Sequence, residues 1–143
     1  MILPITLTMA GAAALIAVWL SARVIAKRVA GKVSIGDGGD PALLARMRAH
    51  ANYTETTPFV LILIGVVELA TGTQLWLWAV GGVFLLARIA HALGMDRPAP
   101  NPFRMIGMLV TLTVMIGLGG YAAAIPYLAP AALDSGAQVI DVG

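Results

Sequence analysis

Two short segments of the sequence carry side chains that can bind the carboxylates and the ammonium group of a small ligand. Arg48, Asn52 and Glu55 follow one another at helical spacing, so they share one face of a helix. Arg88 and His91 share one face of a later segment in the same way. Guanidinium groups bind carboxylates bidentately, and a carboxylate binds an ammonium group. This set suits a small ligand that carries both charges, such as a tripeptide.

Each of these side chains also has a structural interpretation. Arg48 or Arg88 can pair with Glu55 across a helix bundle as a structural ion pair. His50 lies on the face opposite to Arg48 and is typical of a histidine that packs between helices or lies at the level of the lipid headgroups. We expect Arg46, on the same side as His50, to face the membrane interface. The residue types and their spacing leave these alternatives open.

The composition restricts where these residues can lie. The chain has 143 residues, of which 59% are hydrophobic and 11% charged, and its mean hydropathy is +0.90. A soluble domain has about a quarter of its residues charged, so this composition indicates a membrane protein.

The residue types exclude or disfavour several other kinds of site. The sequence contains no cysteine and two histidines, which excludes a disulfide scaffold and a cysteine nucleophile and disfavours a metal site. The sequence has no basic face with interleaved aromatic residues outside the apolar segments, so it does not indicate a nucleic-acid partner.

Four apolar segments predict membrane-spanning helices, since about 20 residues cross the hydrocarbon core. We place these helices at about residues 2–25, 41–70, 74–95 and 105–125. Glycines at 36–39, a short loop at 72–73 and the three prolines of DRPAPNP separate them. We expect Pro126 to end the fourth helix and to begin a tail, residues 126–143. The prediction is one all-α domain over residues 1–143, an integral membrane four-helix bundle.

The basic residues predict the orientation of this bundle. All nine flank the first and third connections: Arg23, Lys27, Arg28, Lys32, Arg46, Arg48, Arg88, Arg97 and Arg104. The positive-inside rule makes that side cytoplasmic and places both termini outside. Glu68 lies near the opposite end of the second helix, where we expect it to reach the membrane interface.

The string RMRAHANYTETTP, from Arg46 to Pro58, closely resembles the MAPEG superfamily, the membrane-associated proteins of eicosanoid and glutathione metabolism. VSIGDGG precedes this string, and ARIAHALG and NPFRMIG follow it; the resemblance is specific from about Val33 to Gly107. The chain looks like a short bacterial member, similar to microsomal glutathione transferase. The resemblance implies a homotrimer in the bacterial inner membrane, with glutathione bound between neighbouring subunits near the cytoplasmic face.

The resemblance also implies roles for individual residues. Those that match the family's glutathione site are Arg48, Asn52, Glu55, Arg88 and His91. Arg104 matches the arginine that family members place near the glutathione sulfur, so we expect it to stabilise the thiolate. Ala26 stands where the family has an arginine in the first helix, so Arg23 or Arg28 would have to supply that contact.

Other positions depart from the family pattern. Ala51 replaces an arginine of the prostaglandin E synthases, and Met95 replaces a tyrosine of mammalian members. Met105 and Met108 replace the serine and tyrosine of the prostaglandin synthases. We therefore do not expect prostaglandin E synthase activity. The expected function is a glutathione-dependent transferase or peroxidase for hydrophobic electrophiles or lipid hydroperoxides that arrive from the membrane.

Other classes of function remain as alternatives. The chain could be a non-catalytic membrane protein with the MAPEG fold, or an enzyme that uses another thiol. A small drug–proton exporter needs an acidic residue in its first helix, and this first helix has none. A haem held by His50 and His91 is disfavoured because His50 lies on the face opposite to Arg48.

Overall fold

A computed structural model describes residues 2–128, in which the secondary structure is entirely helical. The four helices are α1 (Pro4–Gly31), α2 (Pro41–Thr71), α3 (Leu75–Met95) and α4 (Pro102–Leu128). Each helix is long and apolar enough to cross a membrane, as the sequence predicted. The chain is therefore all-α with four membrane-length helices.

Two helix ends lie beyond their predicted positions. α1 continues through the basic residues after position 25, because no breaker precedes Gly31, and Lys32 closes it with a φ of 53°. α4 begins at Pro102, since proline at the first helical position lacks only an N–H that would have no partner there. The Asn101 carboxamide accepts a hydrogen bond from the Phe103 N–H at 3.0 Å and caps that end.

The prediction that Pro126 ends the fourth helix was wrong. Pro126 lies inside α4, which continues to Leu128. The proline ring removes the hydrogen bond to the Ala122 carbonyl, but this loss falls in the last two turns, where few further bonds depend on it. Of the predicted tail, residues 126–128 belong to α4, and residues 129–143 lie outside the described part of the chain.

Glu68 caps the first turn of α1 from the far end of α2. Its carboxylate accepts hydrogen bonds from the backbone N–H groups of Ile5 at 3.0 Å and Thr6 at 2.8 Å, and from the Thr6 hydroxyl at 2.7 Å. Glu68 is 1% exposed, so the expectation that it reaches the membrane interface was wrong. A carboxylate is favoured here because the first amides of a helix have no internal partner and carry partial positive charge.

Asp40 caps the start of α2. Its carboxylate accepts from the N–H groups of Ala42 at 2.8 Å and Leu43 at 3.3 Å. The hydrogen bond from Ala42 lowers the pKa of the Asp40 carboxyl below its ordinary value. Lys27, near the end of α1, lies 3.5 Å from the same carboxylate and so links the end of α1 to the start of α2.

Asp96, directly after α3, joins three helices at the end of the bundle that carries the basic residues. Its carboxylate binds Arg23 of α1 and accepts from Arg46 Nε of α2 at 3.3 Å. Arg46 also donates to the Arg23 carbonyl at 3.2 Å. Arg46, which we expected to face the membrane interface, thus takes part in contacts that fix α1, α2 and α3 relative to one another.

α3 and α4 approach each other closely at two glycines. A Cβ atom on Gly94 would lie 2.5 Å from the Arg104 backbone nitrogen, and one on Gly107 would lie 2.6 Å from the Ala87 carbonyl oxygen. Neither distance leaves room for a larger residue. The same contact brings His91 of α3 against Gly107 and places the beginning of α4 beside the end of α3.

The core between the helices consists of apolar side chains that are almost fully buried. Among the largest are Ile5, Ile64, Leu77 and Phe84. Large apolar side chains also cover the outside, as Leu15 (73% exposed) and Ile116 (75% exposed) show. An apolar exterior is expected where hydrocarbon replaces water.

Candidate functional site

The stripe of polar residues on α2 lines a cavity near the end of the helix bundle where Asp96 links α1, α2 and α3. The cavity has a volume of about 470 Å³, within the range of small-molecule sites. Three helices contribute to it: Arg48, Ala51, Asn52 and Glu55 from α2, His91 and Met95 from α3, and Arg104, Met105 and Met108 from α4. The structure therefore brings together five of the site residues predicted from the sequence.

The charged residues of this cavity are not paired with one another. Arg48, Glu55 and Arg104 are all exposed, and none forms an ion pair within residues 2–128. The structural ion pair of Glu55 with Arg48 or Arg88, which the sequence left open, is thus not formed among these residues. The charges of Arg48, Glu55 and Arg104 are therefore available to a ligand.

Arg88 lies behind the cavity and does not line it. It is 1% exposed, and its guanidinium group lies 5.9 Å from the centre of the Tyr53 ring. Nη2 donates to Asn52 Oδ1 at 2.7 Å, and Nη1 donates to Thr111 Oγ1 at 3.1 Å. Arg88 thus reaches the cavity through the carboxamide of Asn52.

The two histidines occupy different environments. His91 lines the cavity, is 4% exposed, and its Nδ1 atom has no hydrogen-bond partner in the described structure. His50 lies between α1 and α2, with Nε2 3.1 Å from the Ser21 hydroxyl, as expected of a helix-packing histidine. No cluster of three metal-ligating side chains occurs among residues 2–128.

The basic residues proposed from the first helix do not line the cavity. Arg23 binds Asp96 and lies 4.8 Å from the centre of the Trp19 ring. Arg28 donates to the Ser34 carbonyl at 3.3 Å and contacts Met47 Sδ at 3.4 Å. Within residues 2–128, the structure therefore places both side chains outside the cavity that Arg48 and Arg104 line.

Three methionines form the apolar part of the cavity wall. Met95 comes from α3, and Met105 and Met108 come from α4. Met105 is 65% exposed on the outer surface of the helix bundle, and Met108 Sδ lies 4.0 Å from Asn52 Nδ2. Methionine is flexible and polarisable, so this wall can adapt to apolar ligands of different shape.

Two residues around the site were missed in the sequence. Thr111 is a neutral side chain in an apolar run, and no pattern distinguishes it from the exposed Thr113. Asp96 comes directly before the proline-rich linker and was treated as part of that linker. Its position could have indicated its role, because Asp96 is an acidic residue just after α3, at the end of the bundle that carries the nine basic residues.

Comparison with known proteins identifies the family. Two curated relatives from different strains of Escherichia coli, both named Inner membrane protein YecN, are 33% identical over 82 residues. The aligned region covers 57% of this chain and 62% of each relative, so the chain spans less than two thirds of their length. The family model described as MAPEG family matches residues 6–124, which include all or most of each of the four helices. The chain therefore belongs to the MAPEG family of membrane proteins.

Proposed function

We propose that this protein is a glutathione-dependent transferase or peroxidase that acts on hydrophobic electrophiles or lipid hydroperoxides. The observation that carries the proposal is the meeting of Arg48, Glu55 and Arg104 in one cavity without internal ion pairs. Glutathione has two carboxylates for the arginines and an ammonium group for Glu55. Membership of the MAPEG family supports this choice of ligand.

Arg104 is the proposed catalytic residue. It lies in the first turn of α4, where its charge adds to that of the exposed backbone amides. Both favour an ionised sulfur at the cavity, and the thiolate is the nucleophilic form of a thiol. In transfer, the sulfur forms a bond to the electrophile, whose leaving group departs with the electron pair. In reduction, two glutathione molecules convert one hydroperoxide to an alcohol and water and become the disulfide.

The methionine wall supports an apolar second substrate. Met105 and Met108 occupy the side of the cavity that adjoins the outer surface of α4. In a membrane this surface is in contact with hydrocarbon, from which an apolar electrophile can enter. The arginines would hold the thiol while the methionines accept the apolar chain, an arrangement that lowers the barrier by proximity and orientation.

The proposed assembly is a homotrimer in the inner membrane with the site facing the cytoplasm. The name of the Escherichia coli relatives supports the inner membrane. The basic residues at the cavity end of the bundle support a cytoplasmic site. In a trimer, a neighbouring subunit could supply a contact that Arg23 and Arg28 do not make within one chain.

An ultraviolet titration of the purified protein in detergent with glutathione tests the proposal. We expect thiolate absorbance at neutral pH in the wild type and its loss in Arg104→Ala. Arg97→Ala is the matched control, because Arg97 lies 4.9 Å from the Phe103 ring and does not line the cavity. A thiolate signal that persists in Arg104→Ala would remove the role of Arg104. An intact oligomer that binds no glutathione would indicate another thiol or a non-catalytic protein.

A further inference from the structure

We propose that Thr111 is a positioning residue of this site, which orients the Asn52 carboxamide through Arg88. The side chain of Thr111 does not line the cavity, and it acts on the ligand only through the two residues in front of it. The identity of the ligand rests on the function proposed above, whereas the orientation of Asn52 does not.

The hydroxyl group of Thr111 takes part in two hydrogen bonds, one as donor and one as acceptor. Thr111 is fully buried, and Oγ1 donates its proton to the Gly107 carbonyl at 2.7 Å, one helical turn earlier. With that proton engaged, the oxygen presents a lone pair to Arg88, whose Nη1 lies 3.1 Å away. Thr111 therefore fixes one arm of the guanidinium group.

The other arm of Arg88 fixes the orientation of Asn52. A guanidinium group donates hydrogen bonds and accepts none, so only the oxygen of a carboxamide can face it. Asn52 Oδ1 lies 2.7 Å from Nη2, which leaves Nδ2 on the other side, 4.0 Å from the cavity residue Met108. The NH₂ group of Asn52 is thereby presented toward the cavity as a hydrogen-bond donor.

This orientation makes the cavity suited to a ligand oxygen. The NH₂ group of Asn52 joins Arg48 and Arg104 as donors around the same space. Arg88 has no acidic partner within residues 2–128, so Thr111 and Asn52 provide its side-chain hydrogen bonds. Loss of the Thr111 acceptor would free one arm of Arg88, so the guanidinium group could move and would no longer hold Asn52 Oδ1 in one position.

A ligand-free measurement tests the orientation directly. The chain contains two asparagines, Asn52 and Asn101, so protein labelled with ¹⁵N-asparagine gives two side-chain NH₂ groups in a nuclear magnetic resonance spectrum. Asn52→Ala assigns them. We expect Thr111→Val, which keeps the shape but removes the hydroxyl, to shift and broaden the Asn52 signals, while Thr111→Ser leaves them close to the wild type. If Thr111→Val does not fold, Thr111→Ala provides the same test.

Glutathione binding measures the consequence. We expect Thr111→Val to raise the Kd about tenfold, the effect of losing one good polar contact, while Thr111→Ser stays within about threefold. In an Asn52→Ala background, Thr111→Val should add almost nothing, because the two residues act as one unit.

Unchanged Asn52 signals in Thr111→Val, or equal shifts in Thr111→Ser, would overturn the proposal. So would an equal loss of affinity in both backgrounds. A wild-type protein that binds no glutathione would contradict the proposed function, and the spectra would still decide the role of Thr111.

Discussion

At the scale of single residues, the three unpaired charges of the cavity should have separable roles. Arg48 and Arg104 can each attract an anion, whereas Glu55 is the only carboxylate among residues 2–128 that lines the cavity. A carboxylate between two cations would weaken anion binding unless it served another part of the ligand. We therefore assign Glu55 to the ammonium group of glutathione.

Replacement of Glu55 by glutamine tests this assignment. The amide keeps the size of the side chain but loses its charge, so we expect the affinity for glutathione to fall about tenfold. N-acetylglutathione has no ammonium group, and Glu55→Gln should not weaken its binding. Isothermal titration calorimetry in detergent measures both ligands. An equal loss of affinity for both would show that Glu55 does not contact the ammonium group.

Helical spacing was sufficient to predict which residues share a face, and it failed where the partner lies on another helix. The stripe of Arg48, Asn52 and Glu55 lines the cavity as the spacing required. The partners of Arg88 depend on where α4 places Thr111, and the spacing within α3 contains no information on that contact. The burial of Glu68 was missed for the same reason, because its partners lie at the start of α1.

At the scale of helices, Glu68 should contribute strongly to stability. Glu68→Ala leaves the Ile5 and Thr6 amides without their acceptor, which costs about 2–4 kcal/mol. We expect the melting temperature, followed by circular dichroism in detergent, to fall by several degrees. Glu55→Ala, on the exposed surface of the same helix, is the control and should change stability by about 0.5 kcal/mol or less. Equal melting of Glu68→Ala and the wild type would contradict the capping role.

The contact between α3 and α4 should tolerate no side chain at Gly107. The Cβ of Gly107→Ala would lie 2.6 Å from the Ala87 carbonyl oxygen, so we expect a loss of about 1–3 kcal/mol and weaker glutathione binding as Arg104 moves. Gly117→Ala is the matched control on the same helix, because its Cβ would meet nothing within 4 Å. Alanine there should stabilise α4 by up to about 1 kcal/mol. Similar melting curves for the two variants would show that the helices can separate at Gly107.

The lengths of the apolar segments predicted all four helices, while the helix ends depended on local chemistry. Pro102 begins α4 because the first turn needs no N–H from it, whereas Pro126 remains inside the same helix. The same residue type thus marks a helix start in one place and is tolerated near the end in another. A sequence pattern identifies proline as a helix breaker, but it does not show whether a given proline begins a helix or is tolerated inside one.

At the scale of the whole molecule, the bundle has one basic end. The Asp96 contacts hold the end of α1, the start of α2 and the end of α3 together, and Gly94 places the start of α4 beside them. The basic residues around the two connections at this end therefore lie on the same side of a membrane, with the cavity nearby. The positive-inside rule then predicts that the cavity faces the cytoplasm, from which the proposed ligand glutathione would reach it.

Cysteine labelling tests this orientation, and the sequence is suited to it because it contains no cysteine. Ser34→Cys lies in the first connection and Gln74→Cys in the second, and both positions are exposed. A membrane-impermeant maleimide applied to intact spheroplasts should modify Gln74→Cys at once, but Ser34→Cys only after permeabilisation. The opposite pattern would place the cavity outside the cell, away from the cytoplasmic glutathione that the proposed function requires. Labelling of both positions before permeabilisation would show that the two connections do not lie on opposite sides of the membrane.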